Sequence, residues 1–287
     1  MNSFAQVPIQ EVRKYWNSRP CNLRHSRRPI GTVEYFDEVE ARKYLVEPHI
    51  PAFAQFERWR GKTVLEIGCG LGTDTINFAR AGAKVTAVDL SEESLALARR
   101  RAELYGLDIT FYQADAEKLT NVVPVETYDL VYSFGVLHHT PHPCRAVEQL
   151  KQYLGPASRL KIMLYHRYSW KVFWILMKYG HGAFWDLDHL VARYSEAQTG
   201  CPVTYTFSKK TAAAMLEGFE IESFTVDHIF PYRLPEYKQH RYRKVWYFDV
   251  LPEKVFRELE KRFGWHLCVE ARLAGERPSS SPDYRDV

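Results

Sequence analysis

The chain has 287 residues, of which 46% are hydrophobic and 14% aromatic, so it is long and apolar enough to bury a sizeable core. This composition excludes a disordered chain, a collagen-like repeat and a disulfide-dense miniprotein. With 39 Lys and Arg against 35 Asp and Glu, the net charge of +4 is too small to indicate nucleic-acid binding by itself.

Cysteine usage and hydropathy predict a cytoplasmic protein. The five cysteines are scattered and none forms a CxxC pair, which is typical of reduced thiols. The N-terminal residues lack the apolar stretch of a signal peptide. The most apolar run, residues 172–177, is far shorter than the roughly 20 residues of a membrane helix. We therefore expect no transmembrane segment.

Residues 1–60 predict a basic N-terminal arm followed by lid helices. Asp37 is expected to cap a helix over 38–47, which Pro48 ends. A second short helix is expected over 53–59.

Strands and helices alternate in residues 61–165. Short apolar runs bounded by turn residues predict five strands, at 63–67, 84–88, 109–113, 128–133 and 159–165. Helices are expected between them, at 74–81, 91–105 and 144–154. This alternation is typical of a Rossmann-like, doubly wound α/β sheet whose strands are mostly parallel.

The alternation ends after residue 165. Residues 166–218 predict an aromatic, helical insert, and residues 230–262 a basic one, both on the substrate side. Two last strands are expected at 219–229 and 265–271, which makes seven. Four units are predicted: an arm with lid helices (1–60), the sheet core (61–165), the inserts with the last two strands (166–272) and a disordered tail (273–287).

Three alternate glycines follow the first predicted strand, in the run Val64-Leu-Glu-Ile-Gly-Cys-Gly-Leu-Gly-Thr-Asp74. Glycine permits positive φ and lets a ligand approach the backbone, and doubly wound sheets bind ligands at the carboxyl ends of their strands. The dinucleotide fingerprint GxGxxG would need glycine at Thr73. Glu66, within the strand, suits a cationic group and would repel a pyrophosphate. A cationic ligand is favoured over NAD, and a tight turn without a ligand stays the alternative.

Two more acids follow the next strands. Asp89 ends the second strand, where a carboxylate can accept hydrogen bonds from ribose hydroxyls. Asp115 follows the third strand and could accept from an adenine amino group. Each acid also precedes a helical stretch, so each alone can be read as a helix cap. Together with Glu66, they favour one shared ligand.

These segments, together with Tyr128-Asp-Leu-Val-Tyr-Ser-Phe-Gly-Val-Leu-His-His139, resemble class I S-adenosylmethionine (SAM)-dependent methyltransferases. The resemblance is closest to the broad bacterial group that includes the ubiquinone/menaquinone C-methyltransferases, and it covers residues 60–165. It implies SAM as the cofactor and a seven-stranded sheet whose final strand is antiparallel.

The resemblance also implies which residues bind the cofactor. By the part of SAM that they face, these are Glu66, Gly68, Cys69 and Gly70 for the methionine; Asp89 for the ribose; Leu90, Asp115 and Ala116 for the adenine; and Ser133, Phe134 and Gly135 for the far side.

Four side chains are candidates for catalysis. His138 and His139 follow the fourth strand, beside the expected sulfonium, and histidine is the usual base near neutral pH. Tyr165 and His166 end the fifth strand and could orient or deprotonate an acceptor. The alternatives are backbone bonding by the histidines and a core role for the tyrosine. His142 adds a third imidazole, but no cysteine or carboxylate lies at ligand spacing, so no metal is expected.

The sequence therefore predicts in-line methyl transfer from SAM to a small, apolar or aromatic acceptor, with the rings of the first insert lining its pocket. An RNA or protein methyltransferase that uses the basic insert is one alternative, although no Asn/Asp-Pro-Pro-Tyr/Phe motif follows strand four. A SAM-binding protein without catalysis is another. The expected partner is a small molecule, nucleic acid is not favoured, and peripheral membrane contact stays open. The sequence makes no prediction about the oligomeric state.

Overall fold

The computed structural model describes residues 3–181, 184–195 and 200–275. Within these ranges, seven strands form one sheet: β1 (Thr63–Ile67), β2 (Lys84–Asp89), β3 (Ile109–Gln113), β4 (Tyr128–Phe134), β5 (Leu154–Tyr165), β6 (Phe219–Asp227) and β7 (His266–Leu273). Their order is β3-β2-β1-β4-β5-β7-β6. Neighbours among β1 to β5 pair in parallel, and β7 is antiparallel to both β5 and β6. The predicted seven-stranded, doubly wound fold is confirmed.

Helices flank the sheet and cover its carboxyl edge. In the described ranges they are α1 (Ile9–Ser18), α2 (Val33–Val46), α3 (Ile50–Ala54), α4 (Thr73–Arg80), α5 (Glu92–Leu104), α6 (Pro143–Lys151), α7 (Trp170–Ile175), α8 (Leu187–Tyr194), α9 (Lys209–Met215), α10 (Leu234–Tyr237), α11 (Trp246–Asp249) and α12 (Glu253–Phe263). Ser91 caps α5 and accepts a hydrogen bond from the Ser94 amide, as the predicted start of that helix requires.

The N-terminal segment differs from the prediction. The arm contains α1, which packs beside α5 through the Asn17 side chain, an acceptor for the Glu92 amide at 3.1 Å. α2 starts earlier than the helix predicted over 38–47, because Thr32, not Asp37, caps it. Its buried stripe already begins at Tyr35, so the helix has to include these residues to bury them.

Several strand boundaries also differ. β6 ends at Asp227 rather than at residue 229, because His228 has φ +72°, which extended backbone does not allow. β5 begins at Leu154, which pairs with Tyr128 and therefore shortens the helix predicted over 144–154. β7 runs to Leu273, and the rest of the predicted tail from residue 276 lies outside the described residues.

Both inserts pack against the edge of the sheet at which the parallel strands end. Phe207, in the first insert, donates its amide to the Tyr165 carbonyl at 2.7 Å. In the second insert, the Tyr237 carbonyl accepts from the buried Arg42 guanidinium at 2.7 Å. This edge is where doubly wound folds bind ligands, and here two inserts and the N-terminal helices enclose it.

Candidate active site

The glycine turn after β1 adopts backbone that glycine favours. Gly68, Gly70 and Gly72 all have positive φ, at 77°, 54° and 71°. The amides of Gly68 and Cys69 donate to the Val88 carbonyl at 2.6 and 3.0 Å, which ties the turn to β2. A Cβ built on Gly70 would meet nothing within 4 Å. The turn is therefore fixed on the β2 side and open to a ligand at Gly70.

Asp89 lies at the end of β2, beside this turn. Its two carboxylate oxygens accept from the Gly70 amide and the Ser91 amide, each at 2.8 Å. A carboxylate has about four acceptor positions, so two bonds leave capacity for hydroxyl donors. Burial raises the pKa of Asp89. Leu90, next in the chain, is half-buried against the main core.

Asp115 lies at the same edge, after β3. It caps a short 3₁₀ helix at 116–121, and its Oδ1 accepts from the Glu117 amide at 2.9 Å. Ala116 begins that helix and is buried. One carboxylate oxygen of Asp115 therefore caps a helix. The residue also lies at the carboxyl edge of the sheet, where the sequence predicted it.

Glu66 is buried within β1, only 3% exposed. Its Oε2 accepts from the Thr75 hydroxyl at 2.5 Å. Burial, together with the neighbouring Asp74 carboxylate, raises the pKa of Glu66 to about 8. The site therefore holds a carboxyl group that lacks a full countercharge.

Asp74 is a part of this site that the sequence reasoning missed. The Lys43 ammonium donates to its Oδ1 at 2.7 Å, and the Tyr44 and Tyr132 hydroxyls donate to its carboxylate at 2.9 and 3.0 Å. These contacts attach α2 to the start of α4, where Asp74 also interacts electrostatically with Glu66. The residue stands at the end of the glycine run, but its partners are too distant in sequence for a local pattern to indicate them.

The last two residues of β4 and the glycine after them lie at the same edge of the sheet. Ser133 is fully buried and donates its hydroxyl to the Ile67 carbonyl at 3.1 Å, which joins β4 to β1. Phe134 is half-buried and faces the Lys43 ammonium, 5.7 Å from its ring. Gly135 has φ +83°, and a Cβ there would lie 3.3 Å from the Met163 side chain.

His138 and His139 lie side by side on a buried turn. The His139 Nδ1 is 2.8 Å from the Val203 carbonyl, so this ring bonds backbone. His138 is fully buried, and neither of its ring nitrogens has a hydrogen-bond partner of good geometry among the described residues. Burial, with His139 close by, lowers the pKa of His138 well below its usual value, and a backbone interaction with Met163 offsets this in part. The ring is therefore neutral at pH 7.

Tyr165 and His166 occupy different places at the end of β5. The Tyr165 ring packs between His138 and Trp265, with centroids 3.7 and 4.0 Å away. The His166 Nδ1 is 3.1 Å from the Gly264 carbonyl, and burial lowers the pKa of this imidazole. Tyr165 and His138 thus come together, whereas His166 is bonded to the backbone between α12 and β7.

A further set of imidazoles next to Phe134 was not found from the sequence. His49 and His266 lie with ring centroids 6.0 and 5.5 Å from the Phe134 ring. His228 packs against His266 at 4.6 Å. These residues come from the N-terminal lid, the end of β6 and the start of β7, so no sequence spacing relates them.

The comparisons with known proteins identify the domain that contains the glycine turn. Residues 64–157 match a family model described as a methyltransferase domain. That range contains the glycine turn and all three acids at the strand ends. The chain carries a class I SAM-dependent methyltransferase domain. SAM is the cofactor of such a domain.

Curated relatives of this methyltransferase domain share only part of their length with the chain. The ubiquinone biosynthesis O-methyltransferase of Nitrosococcus oceani is 35% identical over 100 residues, which are 35% of this chain and 42% of that protein. The protein of the same name from Sodalis glossinidius is 35% identical over 155 residues, 50% of this chain and 62% of that protein. The chain therefore spans less than two thirds of these relatives.

Solved structures resemble this chain over nearly its whole length. Magnesium protoporphyrin IX methyltransferase (ChlM) from Synechocystis with bound SAH has a TM-score of 0.58 at 19% identity, and the match covers 93% of this chain and all of that one. The same enzyme with bound SAM has a TM-score of 0.55 at 18% identity and covers 92% and 96%. At this identity the likeness establishes the fold. In the described ranges, no helix has the length and apolar character needed to span a membrane.

The residues present fit SAM on two observations. The edge of the sheet brings together the carboxyl groups of Glu66, Asp74 and Asp89, and Lys43 is the cation paired with Asp74 there. A ligand with a sulfonium and an ammonium would add the positive charge that this cluster lacks. The Cα of Gly70 also faces open space, as close approach of a ligand to the backbone requires.

Proposed function

We propose that this chain transfers the methyl group of SAM to an oxygen of a small, apolar or aromatic acceptor. When bound, SAM supplies the methyl group: the acceptor oxygen forms the new bond to carbon, the carbon–sulfur bond breaks, and its electrons neutralise the sulfonium to a thioether. The acceptor hydroxyl must also lose its proton to a base. The residues of this chain have to align the oxygen, exclude water and take that proton.

The proposed cofactor residues are the eleven implied by the sequence. Glu66 and the turn at Gly68–Gly70 would hold the methionine, and Asp89 the ribose hydroxyls. Asp115 and Ala116, with Leu90, would contact the adenine. Phe134 and Gly135 would lie beside the sulfonium, while Ser133 fixes β4 against β1 through its bond to Ile67.

One observation carries the proposal for the acceptor: among the described residues, the buried His138 imidazole packs between the His139 and Tyr165 rings without a hydrogen-bond partner of good geometry. Buried polar atoms normally have partners, and His138 has none of good geometry in the part of the chain described. We assign His138 as the base and the stacked Tyr165 as the group that orients the acceptor. His139 and His166 act as positioning residues, because each binds a backbone carbonyl.

Two further observations support a small acceptor. Both relatives described above are named for O-methylation in ubiquinone biosynthesis. Several aromatic rings of the basic insert, in contrast, are used in internal packing, although Trp246 is 67% exposed. Tyr237 lies under the Arg42 guanidinium at 4.2 Å, and Tyr232 packs on Tyr242 at 5.5 Å. These rings are half-buried and so offer little surface for stacking RNA bases.

The acceptor class is tested by incubating the full chain with methyl-labelled SAM and a cell extract. The extract is then separated into small-molecule, lipid, RNA and protein fractions. We expect label in the small-molecule or lipid fraction. Label confined to RNA or protein would contradict the proposed acceptor, and no label in any fraction would contradict methyl transfer itself.

His138→Gln is expected to slow methyl transfer about a hundredfold, the usual contribution of a positioned base. Its affinity for SAM should stay unchanged, because the base acts on the acceptor. Initial rates of label incorporation give the first quantity and calorimetry the second. The matched control is His142→Gln, a half-buried histidine four residues along, which should keep the wild-type rate. Equal rates for wild type and His138→Gln would remove His138 from the mechanism.

A further inference from the structure

Glu47, His228 and His266 come together although they are far apart in the chain. Each offers one ligand atom, a carboxylate oxygen or a ring nitrogen, and these atoms all lie within 4.8 Å of one another. Glu47 follows α2, His228 follows β6, and His266 opens β7. The three side chains therefore meet only because the lid and the last strands close over the same edge of the sheet.

The two histidines of this cluster are buried, at 7% and 3% exposure. Imidazole nitrogen is a common ligand of transition metals. The cluster therefore offers two nitrogen donors away from solvent beside the Glu47 carboxylate.

The surroundings of His266 resemble the outer shell of a metal ligand. Its Nε2 lies 3.6 Å from the Glu47 Oε1, and its Nδ1 lies 3.0 Å from the His49 Nε2. The His49 Nδ1 lies in turn 3.9 Å from the Asp227 Oδ1. The second nitrogen of a metal-bound histidine is usually held by a hydrogen-bond partner, most often a carboxylate, a carbonyl or water, which fixes the orientation of the ring. Here that partner is the imidazole of His49.

The backbone at His228 is held in an unusual conformation. Its φ is +72°, a value that costs free energy for any residue other than glycine. The conformation is fixed from both sides: the His228 amide donates to the Asp227 Oδ1 at 2.7 Å, and the carbonyl accepts from the Trp265 amide at 2.7 Å. Such strain tends to be kept at functional sites, and here it sets the position of an imidazole beside Glu47 and His266.

We propose that Glu47, His228 and His266 bind one divalent transition-metal ion. Two imidazoles and a carboxylate are the protein ligands of catalytic zinc sites and of non-haem Fe(II) sites, both of which keep an open coordination position. With bonds of about 2.1 Å, ligand atoms around zinc stand roughly 3.4 Å apart. The His266 Nε2 and the Glu47 Oε1 are already 3.6 Å apart.

The site lies next to the proposed acceptor position. The His266 ring is 5.5 Å from the Phe134 ring and 6.4 Å from the Tyr165 ring, centroid to centroid. A cation there would hold an acceptor oxygen and lower the pKa of its hydroxyl. This role rests on the proposed function, whereas metal binding itself does not.

Metal binding is tested on the full chain without SAM or acceptor. The protein is treated with a chelator, dialysed and titrated with Zn²⁺ in a calorimeter, and with Co²⁺ in a spectrophotometer. We expect one equivalent of Zn²⁺ to bind with a dissociation constant of about 1 µM or below, because the folded protein already holds the three ligands together. We also expect visible Co²⁺ absorption bands and a rise in the thermal midpoint with Zn²⁺.

The variants identify the ligands. Glu47→Gln keeps the size of the side chain, and we expect it to weaken Zn²⁺ binding about a hundredfold, as should His228→Ala and His266→Ala. His189→Ala removes an exposed histidine paired with Asp186, and its binding should equal that of wild type. If the histidine variants do not fold by circular dichroism, Glu47→Gln decides. Absence of Zn²⁺ binding by wild type, or full binding by Glu47→Gln, would overturn the site whatever the result for methyl transfer.

Discussion

Replacing Gly68 with alanine is expected to abolish measurable SAM binding and to lower the free energy of unfolding by about 2–5 kcal/mol. Gly68 has φ +77°, and its new Cβ would lie 2.1 Å from the Val136 Cγ2. The turn would have to move away from β4, and the amides that fix it to the Val88 carbonyl would move with it. Urea denaturation measures the stability, and calorimetry measures the affinity for SAM.

The matched control is Gly106→Ala. Gly106 also has a positive φ, at 63°, but a Cβ there meets nothing within 4 Å. This variant should lose only the backbone contribution, about 1–2 kcal/mol, and should bind SAM like wild type. Wild-type affinity in Gly68→Ala would contradict the placement of the cofactor on this turn.

SAM should bind more tightly as the pH rises, because of Glu66. Its pKa of about 8 in the free protein means that the carboxyl group is largely protonated at pH 7. A cationic ligand favours the ionised form, so binding should release close to one proton there. Between pH 6 and 7.5 the dissociation constant should fall by up to about tenfold per pH unit, and the dependence should flatten above pH 8.

The raised pKa of Glu66 also makes the free energy of unfolding depend on pH. Its folded pKa lies above the ordinary value of 4.5, so the stability that it contributes is fully present below pH 4.5 and is lost as the pH rises through 8.

The proton released on SAM binding is counted by calorimetry in two buffers of different ionisation enthalpy. Glu66→Gln should release none and should show a flat profile. A pH-independent affinity in wild type would mean that Glu66 does not meet the cation.

The sequence was sufficient to predict the fold and the places of three acids on the strands. The strands could be placed from short apolar runs bounded by turn residues. Buried parallel strands give continuous apolar runs, which can be recognised without knowing which other segments of the chain they contact. The positions of Glu66, Asp89 and Asp115 followed from the same reasoning, since the strand ends of a parallel sheet meet at one edge. The start of α2 was wrong because Asp37 resembles a cap, whereas the buried face of the helix begins before it.

The contacts that the N-terminal helices and the last strands make at this edge of the sheet could not be predicted in this way. Asp74 is held by Lys43 and Tyr44 from a helix thirty residues earlier. His228 and His266 meet Glu47 only after both inserts and the lid have folded over the sheet. The expectation of no metal weighed only His138, His139 and His142, whose local spacing is poor for ligands. Contacts between segments so far apart depend on tertiary packing and leave no periodic signal.

The most direct measurement is calorimetric titration of wild type, Asp89→Ala and Asp129→Ala with SAM. Asp129 is a suitable control because it also binds a backbone amide, that of Thr63 at 2.9 Å, but at the amino-terminal edge of the sheet. One equivalent of SAM should bind wild type and Asp129→Ala equally. Asp89→Ala should bind about a hundredfold more weakly, since two hydrogen bonds to a charged group are lost. Equal affinity in all three proteins, or no binding by wild type, would contradict a cofactor cleft lined by these carboxylates.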